Sequence, residues 1–136
     1  MRLAVAATAP ASVEESAFGL GIAKGIAGLD IGQTVVVKGG TVLAVEGFEG
    51  TDACLARGGQ LAGEKGGAVA VKVSKRGHDM RFDIPCVGAQ TIETCSNHGI
   101  TTLAVEAAKT VLLDLEQLEE IARRARVTVM TVAAEG

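Results

Sequence analysis

Val35-Val36-Val37-Lys38-Gly39-Gly40-Thr41-Val42-Leu43-Ala44-Val45 decides how this chain folds. Two runs of β-branched and apolar residues are separated only by Gly39-Gly40, and a two-residue glycine loop is what a tight hairpin favours. The spacing predicts antiparallel strands over 35–38 and 41–45. Downstream, Gly67 to Val71 is a short apolar run that reads as a buried strand, and Thr101 to Val105, Thr110 to Leu113 and Val127 to Val132 read as further strands. Helical patterns fall between them. Thr51 is the expected N-cap of a helix from about Asp52 to Ala62. A second helix is expected from Gly88 or Ala89, burying Ile92 and Cys95 and ending at the left-handed Gly99. Asp114 is expected to cap a third, with Leu115, Leu118, Ile121, Ala122 and Ala125 inward. Ahead of the hairpin, Ser12-Val13-Glu14-Glu15 reads as a capping box that opens a helix to about Gly28, with Phe18, Ile22 and Ile26 on its buried face. Its glycines (19, 21, 25 and 28) weaken it by roughly 1 kcal/mol each relative to alanine, so it is expected to pack closely on something.

Alternating helices and strands imply an α/β fold, a single domain built on a mixed β-sheet. The sheet is antiparallel at the Gly-Gly hairpin, parallel where helices cross over, and flanked by helices. Residues 1–17 are expected to be a linker-like tail with the start of the first helix, and 18–136 the domain proper. A chain of 136 residues buries an ordinary core without staples.

Composition narrows the function. The net charge is −3, the aromatic content 2%, and Trp and Tyr are absent. Nothing here offers the basic surface or the stacking platforms that nucleic acid requires. Cys54, Cys86 and Cys95 lack the spacing of a zinc or redox site and read as reduced thiols of a cytoplasmic protein. The apolar run at Leu3–Ala7 is too short for a signal peptide, and no stretch approaches the ~18 apolar residues of a membrane span.

Two stretches carry chemistry. The first follows the Gly67–Val71 strand, where Lys72, Lys75, Arg76, His78, Asp79, Arg81 and Asp83 crowd into twelve residues. The carboxyl end of a strand beside a helix start is where ligands of open α/β sheets bind. Carboxylates mixed with cations suit a phosphate group, although a solvated salt-bridge loop explains the same charges. The second is Glu46-Gly47-Phe48-Glu49-Gly50-Thr51-Asp52, between a strand and a helix. Glu46, Glu49 and Asp52 read either as a polar turn favoured by the helix dipole or as ligands for a hard cation such as magnesium. A zinc site, a nucleophile elbow, a P-loop and a dinucleotide fingerprint are all unsupported by the spacing.

Four stretches resemble the C-terminal domain of the bacterial UDP-2,3-diacylglucosamine pyrophosphatases of lipid A biosynthesis. They are Gly28–Lys38; Val42–Glu46 with Glu49–Asp52; Lys72–Lys75 with Asp79–Pro85; and Val105–Thr110. The resemblance spans about Phe18 to Val132. It implies hydrolysis of the pyrophosphate of a lipid-linked UDP-sugar to UMP and 2,3-diacylglucosamine 1-phosphate, with Mg2+ or a similar divalent cation. The family's essential aspartate lies in an R-x-D-x-P motif, here Arg81-Phe82-Asp83-Ile84-Pro85. Asp83 is therefore the expected catalytic residue, as metal ligand or as the group orienting water. Asp79, Glu46, Glu49 and Asp52 are further metal candidates, and Lys72, Lys75, Arg81, Lys109 and Thr110 are the expected phosphate-binding residues. Membrane contact is expected only through the lipid substrate, and the glycine-rich first helix invites homo-oligomerisation. Family members carry a second, N-terminal domain of about equal size. This chain is therefore expected to be either incomplete for the reaction or a stand-alone module that binds a nucleotide or another phosphorylated small molecule, or serves in assembly, without turnover.

Overall fold

A computed structural model of the chain describes residues 10–74, 86–106, 111–112 and 115–132. The predicted hairpin is present. Strand β1 (Thr34–Lys38) pairs antiparallel with β2 (Thr41–Val45), and Lys38 faces Thr41 across the turn. Gly39 and Gly40 both have positive φ, 59° and 76°. That backbone matches the right-handed twist of the flanking strands and is closed to most side chains. An irregularity between Val36 and Val37 shifts the register once.

Three more strands complete the main sheet: β3 (Ala68–Lys72), β5 (Ile100–Glu106) and β7 (Thr128–Val132), in the order β2-β1-β3-β5-β7. Strand β1 is antiparallel to β3, whereas β3, β5 and β7 are mutually parallel. Strand β2, antiparallel to β1, therefore runs in the same direction as those three. The carboxyl ends of β2, β3, β5 and β7 share one edge of the sheet with the start of β1. Parallel strands buried on both faces should read as continuous apolar runs. Ala68 to Val71 are all at most 2% exposed, as are Thr102 to Val105.

Helix α1 (Pro10–Gly28) covers one face, and α2 (Thr51–Leu61), α3 (Ala89–Asn97) and α4 (Leu115–Ala125) lie along the other. Two cores result. Leu20, Ala23 and Ala27 of α1 meet Val35, Val37, Val69, Val71, Val73, Ala104 and Met130. Leu55, Ile92, Cys95 and Ala122 of the other helices meet Val36, Ala70, Leu103, Val105 and Val129. The expected α/β architecture, with a mixed sheet between helices, is what the chain adopts.

Several local expectations need correction. Helix α1 begins at Pro10, two residues before the expected cap, which suits proline's tolerance of a first helical turn. Ser12 therefore lies inside the helix, and the Glu15 carboxylate accepts the Gly40 amide of the hairpin turn at 2.9 Å. The buried face of α1 is Ser16, Gly19, Leu20, Ala23 and Ala27, not Phe18, Ile22 and Ile26. Phe18 is 37% exposed, and the two isoleucines pack only at the margin of the core. The cause is close approach: a Cβ on Gly19 would lie 2.6 Å from Val71 Cγ2. Small residues win the face that touches the sheet. In α2, the N-cap is Gly50 and Thr51 is the first helical residue. Within the run at 110–113, the described residues Val111–Leu112 form β6, which pairs parallel with β4 (Cys86–Val87) in a two-stranded sheet separate from the main one, and Thr110 and Leu113 lie outside the described residues. Gly99 ends the α3 segment with φ +77°, as expected.

Glycines in α2 serve contact in the same way. A Cβ on Gly59 would sit 2.0 Å from the His98 carbonyl oxygen, a backbone atom that cannot rotate away. An exposed helical glycine gains about 1 kcal/mol on replacement by alanine. Gly59→Ala is expected to do the opposite, lowering stability by about 1–3 kcal/mol through overpacking. Urea unfolding measures this directly, and a raised midpoint would contradict the packing described.

Candidate functional site

The edge formed by the carboxyl ends of β2, β3, β5 and β7 is bound together by a row of polar contacts. Past the last residue of β2, the Glu46 amide donates to the Thr34 carbonyl at 2.8 Å and extends the hairpin ladder. The Glu46 carboxylate turns back to accept the Gln33 amide at 3.0 Å, and Thr51 Oγ1 lies 3.5 Å from its other oxygen. Thr51 Oγ1 also lies 3.2 Å from Thr34 Oγ1. The Thr51 hydroxyl thus engages the sheet instead of capping α2. Gly32 makes this approach feasible, because a Cβ there would lie 2.1 Å from the Glu46 carbonyl oxygen.

Gln33 carries the row onward to β3. Its carbonyl accepts the Val73 amide at 2.9 Å, and its side-chain amide donates to the Val73 carbonyl at 3.2 Å. Ser74 then joins β3 to β5. Its backbone amide and its hydroxyl both donate to Glu106 Oε1, at 3.1 and 3.2 Å. Glu106 Oε2 accepts Lys24 Nζ of α1 at 2.7 Å. Glu106 is 3% exposed. Burial pushes its carboxyl upward, but the bonds from Lys24 and Ser74 outweigh burial and hold its pKa below the ordinary 4.5. A buried carboxylate of this kind is sustained only when its partners are in place.

The two faces of the edge differ. Along β3, Val69, Val71 and Val73 belong to the α1 side, so Lys72 alternates onto the side of α2 and α3. It sits in register between Thr34 and Val105 and is partly exposed. Helices α2 and α3 begin at this same corner, where Gln90 Nε2 donates to Asp52 Oδ2 at 3.3 Å. Their N-caps, Gly50 and Gly88, supply no side-chain cap. Two helix N-termini and a lysine at one corner favour an anionic group electrostatically.

The other sequence-predicted residues divide clearly. Glu46, Glu49 and Asp52 follow β2 at this edge, yet each carboxylate is engaged separately. Arg57 binds Glu49 through Nε and Nη2 while also donating to the Val45 carbonyl at 2.9 Å. That hydrogen bond holds the Glu49 pKa below its usual range. Among the described residues, no three His, Cys, Asp or Glu side chains are grouped closely enough to hold a metal ion. Lys75, Asp79, Arg81, Asp83, Lys109 and Thr110 lie outside the described residues. Even so, the points where their segments leave the sheet are fixed: Ser74 at the end of β3 and Glu106 at the end of β5, joined by two hydrogen bonds. The resemblance stretches Lys72–Lys75 and Val105–Thr110 thus start side by side.

Glu106 is the residue that sequence reasoning passed over. Inside Val105–Thr110 it looked like one more acid beside Lys109, and only the parallel register of β3 and β5 shows that it meets Ser74. Cys54 and Cys95 are buried, and burial pushes both thiols up to about 12. That suits inert core residues and not nucleophiles. A cavity of about 590 Å³ lies at the opposite edge of the sheet, among Gly59, Glu64, Gly66, His98 and Gly99. None of the described candidates Glu46, Glu49, Asp52 and Lys72 lines it. No described helix is long and apolar enough to cross a membrane.

Fold and edge together define an α/β domain with a row of polar contacts along the carboxyl edge of its parallel strands. Comparison with known proteins places it more closely. The chain matches the LpxI C-terminal domain family over residues 2–130 and belongs to that family. It is similar to the UDP-2,3-diacylglucosamine pyrophosphatase LpxI of Caulobacter vibrioides, with 36% identity over 121 residues. That alignment covers 85% of this chain and 43% of the relative, so the chain spans less than half of the relative's length.

The lowered pKa of Glu106 gives a pH signature. Its stabilising contribution is complete above the unfolded value near 4.5 and is lost as pH falls through the lower folded value. The melting temperature of the wild type should therefore exceed that of Glu106→Gln most at neutral pH, and the gap should narrow below about pH 4. A gap independent of pH would show that the carboxylate charge contributes nothing.

Proposed function

We propose that this chain supplies the catalytic domain of a UDP-2,3-diacylglucosamine pyrophosphatase in lipid A biosynthesis. The reaction cleaves the pyrophosphate to UMP and 2,3-diacylglucosamine 1-phosphate. Family membership supports the reaction class. The observation that carries the placement is the Ser74–Glu106 junction, where two stretches of the family resemblance leave neighbouring strand ends. On this reading the phosphates sit at the corner formed by Lys72 and the starts of α2 and α3. Lys75, Arg81, Lys109 and Thr110 add charge and hydrogen bonds from the two departing segments. Asp83 acts on the attacking water or on a metal ion, with Asp79 beside it in sequence. A divalent cation such as magnesium, when bound, neutralises the pyrophosphate oxygens and so favours attack at phosphorus. The acidic turn contributes less directly, because Glu46 ties β2 to Gln33 and Glu49 is paired with Arg57.

Acting on a lipid-linked nucleotide would bring the domain to a membrane surface only through its substrate, and we place the protein in the cytoplasm on that basis. The assay is UMP release from UDP-2,3-diacylglucosamine in the presence of magnesium. It is run on the chain alone and on the chain fused to the portion of the Caulobacter relative that it does not span. Asp83→Ala is expected to lower the rate by about 100-fold or more, the scale of losing a group that acts on the transition state. Chelation of divalent cations is expected to stop turnover, and restored magnesium to recover it. Absence of UMP release in both forms would overturn the proposal, and release untouched by Asp83→Ala would remove Asp83 from its role.

A further inference from the structure

Catalysis at the carboxyl edge requires the β3 and β5 exits to hold a fixed relation, and the sheet ladder stops two residues short of Ser74. The parallel register ends at Lys72 opposite Val105. Beyond that pair, Ser74 meets Glu106 through the carboxylate alone, by its amide at 3.1 Å and its hydroxyl at 3.2 Å. The second carboxylate oxygen is fixed by Lys24 at 2.7 Å. Lys24 comes from the helix on the α1 face, so one buried group joins three elements. Ser74 itself is 4% exposed. On its other side Val73 is bonded to Gln33, and Gln33 to Glu46. The row therefore runs unbroken from the acidic turn to α1, and the Glu106 carboxylate is its bridge from Ser74 to the end of β5.

We infer that Glu106 is a positioning residue for the hydrolysis: its carboxylate locks Ser74, and with it the point where the chain leaves β3, against the end of β5. It touches no reacting atom and acts through Ser74. The inference rests on the functional reading above for its catalytic consequence, but the lock itself does not.

Hydrogen exchange and steady-state kinetics on Glu106→Ala, Glu106→Gln and the wild type separate the alternatives. A purely structural residue would loosen the whole sheet. The lock predicts a local change: exchange at the Ser74 amide rises by about tenfold or more in Glu106→Ala while the amides of Val69, Val71 and Leu103 keep their protection. Misplacing a reacting group by about 1 Å can cost on the order of 100-fold, so kcat is expected to fall by at least about tenfold with KM within about twofold of wild type. Glu106→Gln retains an oxygen for Ser74 and should recover most of kcat even though it loses the Lys24 ion pair. Should Glu106→Ala fail to fold, Ser74→Ala provides a half-strength comparison, since it removes the hydroxyl bond but keeps the amide bond and the Lys24 pair, and it should lower kcat by less than Glu106→Ala would, with KM again unchanged. Unchanged Ser74 exchange, or a loss of protection spread evenly over the sheet, would overturn the lock. Failure of the wild type to release UMP would instead count against the functional reading, and the exchange result would still decide whether Glu106 holds this edge.

Discussion

Parallel pairing of β3 with β5 is the constraint on which the rest of the structure depends. Parallel neighbours need a crossover, so the chain must leave β3 at one edge, run back along α3 and re-enter at the other. The same requirement sends the chain out of β5 beside the exit of β3. Lys72, Ser74 and Glu106 thereby come together at a single edge. Strands buried on both faces cannot carry charge until they end, which is why Lys72, Ser74 and Glu106 all stand at or just past the end of the ladder. Apolar continuity and a polar terminus are two consequences of one topology.

Glycine makes that topology compact. Gly19 lets α1 lie directly on Val71, Gly58 lets α2 lie on Val36, and Gly59 admits the His98 carbonyl. With helix backbones that close to the sheet, the side chains at the edge bond to one another directly. Lys24 reaches Glu106 from α1 because nothing bulky separates the helix from the strand ends. Part of the glycine content, about twice the usual share, is thus a packing feature, and part serves positive-φ turns such as Gly39 and Gly40.

Much of the fold was legible because local chemistry and the final state agree. Gly39-Gly40 permits one kind of turn, and Ala68 to Val71 can only be a buried strand in a chain of this pattern. Helix α1 misled for an equally physical reason. Periodicity ranks large apolar residues first, whereas contact with a flat sheet selected Gly19, Ala23 and Ala27 and pushed Phe18 to the margin. Thr51 has the chemistry of an N-cap, but its hydroxyl found Thr34 and Glu46 across the edge, leaving Gly50 in that place. The pairing of β4 with β6 joins two-residue strands 25 positions apart in register, Cys86 to Val111, and no local pattern encodes such a contact. For the site, the charged stretch after β3 was visible as composition, while residues 75–85 lie outside the described residues. The role of Glu106 was invisible, because it depends on which residue stands opposite, and register is not written in either strand alone.

The central claim is that the nucleotide end of the substrate is received at the carboxyl edge of β3 and β5. Backbone amide chemical shifts followed during titration with UMP and magnesium test it most directly. The account predicts that the largest changes fall at Gln33, Thr51, Lys72, Ser74 and Glu106, with the opposite edge unaffected. Changes centred on Gly59, Gly66, His98 and Gly99, which line the cavity at the far end of the sheet, would contradict it.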